Sequence, residues 1–122
     1  MKPLHTAVET REFRSCIGGL LTEAELKALI DHLAAEPDAG EIMPGTGGAR
    51  KLRWAGKAKG KSGGIRVITF YSGPPVPVFL LSAFGKGRKI NLSQAERNAL
   101  RRVLGDLVAA YLKGVRRHVE GR

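Results

Sequence analysis

Three β-forming runs lie close together in the middle of this chain, with helical patterns on either side. Arg50 to Ala55 alternates, placing Arg50, Leu52 and Trp54 on one side and Lys51, Arg53 and Ala55 on the other, as a strand requires. Ile65 to Tyr71 is β-rich and mostly apolar, the pattern of a central strand. Val78 to Phe84 is a further apolar strand, set off by a proline-rich turn over Ser72 to Pro77. Leu4 to Val8 reads as a short first strand. The glycine-dense run Ile42 to Gly48 reads as a tight hairpin connection, or as a turn where backbone approaches something closely.

The helical patterns begin with recognisable caps. Thr10 precedes a brief helix through Cys16 with Phe13 and Ile17 facing inward, and Gly18-Gly19 ends it. Thr22-Glu23-Ala24-Glu25 is a capping box, followed by Leu26, Leu29, Ile30 and Leu33 at helical spacing. Glu36-Pro37 stops that helix. Ser93-Gln94-Ala95-Glu96 is a second capping box. Leu100, Val103, Leu104, Leu107, Val108, Tyr111 and Leu112 then mark one face of a last helix. The expected order is β-α-α-(β)-β-β-β-α. It predicts an α+β fold: a small, mostly antiparallel sheet with N-terminal helices and a C-terminal helix, covered by helices on one face. One domain spans residues 1–122, with residues 113–122 expected as a frayed basic tail.

The formal charge is +10, and its distribution is sharper than its size. No Asp or Glu occurs between Glu41 and Glu96. That interval carries Arg50, Lys51, Arg53, Lys57, Lys59, Lys61, Arg66, Lys86, Arg88 and Lys89. Elsewhere acids and bases balance, so the whole excess sits in the central strands and their loops, and the expected partner is a polyanion. The missing carboxylates also speak against magnesium-dependent chemistry, which needs them as ligands. Ala55 to Ser62 approaches a phosphate-binding P-loop in Gly60-Lys61-Ser62, but a strand is expected next where a P-loop opens a helix. His5, His32 and His118 are widely separated and read as surface histidines, so neither metal nor cofactor is expected. The single Cys16 reads as a small buried residue. No apolar run approaches a membrane span and no signal peptide is evident, so a cytoplasmic location is expected.

Two readings of the basic centre follow. One is a solvated surface that binds RNA or the ribosome without chemistry. The other is a metal-free RNA-cleaving site, in which a 2′-hydroxyl attacks its own phosphodiester. Lys or Arg would hold the phosphate, and a lysine crowded by cations would move a proton near neutral pH.

The block from Pro37 to Lys86 carries a more specific likeness. It contains Pro44-Gly45-Thr46-Gly47-Gly48-Ala49-Arg50-Lys51-Leu52-Arg53, then Gly56-Lys57-Ala58-Lys59-Gly60-Lys61-Ser62-Gly63-Gly64-Ile65-Arg66-Val67-Ile68, then Phe84-Gly85-Lys86. This closely resembles the HigB-type branch of the RelE toxin superfamily. The resemblance implies a RelE-like fold. It also implies the toxin of a type II toxin–antitoxin pair, cleaving mRNA in the ribosomal A site and silenced by a helix-turn-helix antitoxin. By the same resemblance Lys57, Lys59, Arg66 and Lys86 are the catalytic positions. Arg50, Lys51, Arg53, Lys61, Arg88 and Lys89, the other cations of the acid-free interval, are expected to bind RNA through their charge. Gly87 stands where some members carry Arg, and Ile90-Asn91-Leu92 lacks the tyrosine that others use. Trp54, Phe84 and Tyr71 are candidates for stacking a base, with core packing preferred for Tyr71 and Phe84.

Overall fold

The computed structural model describes residues 4–55, 64–85 and 92–120, with side chains through Gly114. The elements run β1 (Ala7–Glu9), α1 (Arg11–Ile17), α2 (Glu23–Ala35), β2 (Glu41–Ile42), β3 (Ala49–Trp54), β4 (Ile65–Phe70), β5 (Val78–Gly85) and α3 (Gln94–Glu120). They form an α+β fold around one five-stranded sheet, ordered β1-β5-β4-β3-β2. The sheet is mixed: β1 runs parallel to β5, and the other three pairings are antiparallel.

The caps form as expected. Phe13 N donates to Thr10 Oγ1, which starts α1. Thr22 and Glu25 exchange reciprocal hydrogen bonds at 2.8 and 3.2 Å, and Ser93 and Glu96 at 2.8 and 3.1 Å. Each box satisfies two of the amides that a helix start leaves without partners. Thr10 Oγ1 also donates to the Leu80 carbonyl at 2.8 Å, tying α1 to β5.

Helices cover both faces of the sheet, which corrects the one-face expectation. On one face α1 and α2 bury Phe13, Ile17, Leu29 and Leu33 against Val67, Val78 and Leu80. On the other, α3 sets Leu104 against Ala49, Ile68, Phe70 and Phe79, with Leu100, Leu107, Val108 and Tyr111 around it. β4 is the strand that requires this arrangement. Ile65 and Val67 point to the first core and Ile68 and Phe70 to the second, so apolar side chains leave both sides of one backbone. Each such side chain gives about 1.5–3 kcal/mol on burial, so neither side can remain open to water. A bulge between Ile68 and Thr69 admits Leu81 as an extra residue on β5.

Two further expectations change. The first strand is Ala7–Glu9 rather than Leu4 to Val8, and Leu4 is largely exposed. α3 runs to Glu120. Val103 and Leu112 lie off the packed stripe of α3 and are exposed. Among the described residues no helix is long and apolar enough to cross a membrane.

Candidate nucleic-acid interface

The alternation of β3 divides the basic residues expected to work together. Lys51 and Arg53 share the α3 side of the sheet with Ala49. Arg50 points the other way with Leu52 and Trp54, towards α1 and α2, and donates from Nη1 to the Gly40 carbonyl at 3.1 Å. Its Nε is buried without a partner, as is the Oγ1 of Thr69 directly across the strand pair. Arg50 is therefore separated from Lys51 and Arg53 by the thickness of the sheet.

On the α3 side, Arg53 pairs directly with Arg66 across β3 and β4, and Arg66 pairs with Phe84 across β4 and β5. The next row is Lys51, Ile68 and Ser82. Opposed side chains in such a ladder start about 5 Å apart, and like charges set opposite each other destabilise the sheet. No carboxylate offsets this pair: among the described residues neither Lys51, Arg53 nor Arg66 forms an ion pair, whereas Lys27 and Asp31 do on α2. Arg66 makes one long contact, Nη1 to its neighbour's carbonyl at Ile65, 3.5 Å. Lys51 and Arg53 are exposed and Arg66 half-buried, so all three retain access to solvent.

Trp54, Ile65 and Gly85 stand side by side on β3, β4 and β5. The described chain thus runs up to residues 56–63 and 86–91 at one end of the sheet, beside the Arg53–Arg66 pair. Those two segments contain Lys57, Lys59, Lys61, Lys86, Arg88 and Lys89, which lie outside the described residues. Gly60-Lys61-Ser62 lies there too, and the first element after it is β4, not the helix a P-loop needs.

The aromatic candidates are occupied by packing. Phe84 is buried in the α3-side core. Tyr71 packs against the opposite core, its hydroxyl 3.4 Å from His5 Nδ1. Trp54 lies against His32 of α2, ring centroids 5.1 Å apart. His5 and His32 are thus half-buried partners of aromatic rings rather than surface histidines. Cys16 is half-buried, with its thiol 3.6 Å from Glu12 Oε2.

α3 adds cations that the strand pattern did not disclose. Arg101 donates from Nη2 to the Gly45 carbonyl at 3.1 Å, and Arg97 lies along the same glycine turn. Gly47 has φ +80, and a Cβ there would stand 2.8 Å from Arg101 Cγ and 3.4 Å from its Cβ. Thr46, fully buried, fixes the turn by donating to Met43 O at 2.7 Å and accepting from Ala49 N at 3.1 Å. The close approach suggested by the glycines is therefore that of the α3 arginine stems. The signal lay in Arg97 and Arg101, four residues apart at the start of a capped helix, but only the tertiary fold brings them to the turn.

Such a surface can hold phosphates: two guanidiniums for bidentate contacts and a neighbouring ammonium as a point charge. Among the described residues no group of three or more His, Cys, Asp or Glu is placed to hold a metal ion. No family model matches the chain.

Proposed function

We propose that this chain is the toxin of a type II toxin–antitoxin pair, with a RelE-like fold, acting as a metal-independent endoribonuclease on ribosome-bound mRNA. The observation that carries the reading is the Arg53–Arg66 couple, without an ion pair among the described residues, at the sheet end from which the chain leads into both basic segments. A sheet that places two cations opposite each other without a carboxylate accepts a cost that a bound polyanion removes. The sequence signature from Pro44 to Lys86 supplies the rest.

In the proposed reaction the 2′-hydroxyl oxygen attacks the adjacent phosphorus and the bond to the 5′ oxygen breaks. This leaves a 2′,3′-cyclic phosphate and a 5′-hydroxyl. The Arg66 and Arg53 guanidiniums hold the non-bridging oxygens as negative charge develops on them. The proton leaving the 2′-hydroxyl and the one reaching the 5′ oxygen pass through groups drawn from Lys57, Lys59 and Lys86. A lysine among cations has its pKa lowered towards that task. A helix-turn-helix antitoxin would silence the chain until release.

Expression under tight control tests this, with growth and the 5′ ends of cellular RNA followed for the wild type and for Arg66→Ala. The wild type is expected to arrest growth and create new RNA ends. Loss of one phosphate-holding donor is expected to lower cleavage about 10²-fold or more. The melting temperature of Arg66→Ala should hold or rise, because a like-charge pair is removed. A harmless wild type with no new ends would overturn the reading in favour of RNA binding without cleavage.

A further inference from the structure

On the α3 side of the sheet, beyond Lys51, a cleft of about 230 Å³ opens between β2, the glycine turn and the start of α3. Its apolar wall is formed by Met43 and Leu92, and its charged groups are Glu41, Lys51 and Arg97. Ile42, paired with Arg50, turns its side chain to the opposite side of the sheet. At this volume the cleft is smaller than sites for drug-sized ligands, which start at about 300 Å³, and suits one planar ring system.

We infer that this cleft is a single-nucleotide subsite for RNA that prefers guanine, extending the phosphate-holding row at Arg53 and Arg66. The inference rests on the proposed RNA-cleaving function. Lys51 and Arg53 lie two residues apart on the same face of β3, about 6.7 Å, so a strand held by Arg53 and Arg66 continues naturally onto Lys51. Neither Lys51 nor Arg97 forms an ion pair among the described residues, which leaves both cations for a phosphate. Met43 and Leu92 offer the apolar contact that a base seeks on leaving water.

Glu41 gives the cleft its selectivity. It is the direct cross-strand neighbour of Lys51 and lines the cleft as a carboxylate. A carboxylate repels a phosphate, so for a purely phosphate-binding cleft it is a liability. It is an acceptor for a base edge instead. Guanine presents two adjacent donors on its Watson–Crick edge, N1–H and the N2 amino group, which a carboxylate accepts as a pair. Adenine, cytosine and uracil present one donor group each on that edge.

Binding of fully 2′-O-methylated, and hence uncleavable, fluorescein-labelled RNA hexamers tests the subsite by fluorescence anisotropy. The hexamers differ at one position: guanine, inosine or adenine. The guanine hexamer is expected to bind about tenfold tighter than the adenine one, the low end of what a bidentate base contact provides, with inosine between them. In Glu41→Ala the guanine-to-adenine ratio should fall to near one. In Lys51→Ala and Arg97→Ala affinity should drop alike for all three hexamers, with a shallower salt dependence. Circular dichroism of each variant establishes that it is folded. Equal binding of the three hexamers by the wild type, or a preference that survives Glu41→Ala, would overturn the subsite even if the chain cleaves RNA. Guanine preference that vanishes in Glu41→Ala supports the subsite even if the cleavage assay is negative, so the two readings fail separately.

Discussion

Gly47 and Thr46 show how single positions hold the glycine turn beneath α3. Gly47 combines a left-handed backbone with a contact too tight for any Cβ, against the root of the Arg101 side chain. Gly73, at φ +100, has the same kind of backbone but open space around it. Comparing the two alanine variants by urea denaturation separates strain from contact. Gly73→Ala is expected to cost about 1 kcal/mol, and Gly47→Ala about 2–4 kcal/mol because Arg101 must also move. Equal losses would mean that Arg101 yields freely. Legibility at this scale was uneven. The glycines announced a close approach, but not by what, since the arginines come from a helix some fifty residues later. The β3 alternation already placed Arg50 and Lys51 on opposite sides, yet their adjacency and shared charge grouped them as one RNA-binding set.

At the scale of elements, the helix starts were the most legible features, because a capping box is a local device that needs only four residues. Tertiary placement was less so. The apolar stripe of α3 shows that one side is buried, but not which sheet face receives it. The clue was β4, whose continuous apolar run requires cover on both sides. The α3 capping box also carries a pH signature. Hydrogen bonds from the Ser93 backbone amide and then its side chain hold the Glu96 carboxyl below its usual value of 4.5. A depressed carboxylate pKa contributes stability that is complete above the unfolded value and is lost as pH falls through the lower folded value. The decrease in melting temperature from pH 6 to pH 3 is therefore expected to be smaller in Glu96→Gln than in the wild type. An unchanged decrease would show that other carboxylates govern the acid limb.

For the whole molecule, the excess of +10 acts on stability and on binding with opposite signs. The Arg53–Arg66 couple and its neighbours repel one another in the free protein, and added salt screens that repulsion. On the proposed function the same salt should weaken attachment to RNA, because binding would release counterions. Raising sodium chloride from about 50 mM to 200 mM, on either side of the ~0.1 M at which the Debye length is about 10 Å, should raise the melting temperature of the free chain. It should also lower RNA affinity, for wild type more steeply than for Arg53→Ala. A melting temperature that falls with salt would contradict a repulsive free surface. The charge itself was fully legible in the sequence. What the fold adds is that Arg53, Arg66 and Lys51 share one sheet side and that the chain reaches both basic segments at one sheet end.

The parallel pairing of β1 with β5 has a consequence for synthesis. Residues 6–10 hydrogen-bond to Val78 and Leu80, so the beginning of the chain finds its place only after most of it has been made. Until Val78 leaves the ribosome, α1 has no β5 to cover, and Phe13 and Ile17 remain without the sheet surface on which they pack. A message broken or stalled before that codon yields a nascent fragment with no completed sheet, so its cation row lacks the scaffold that aligns it. Completion of the sheet is thereby deferred to the last third of translation by strand order alone.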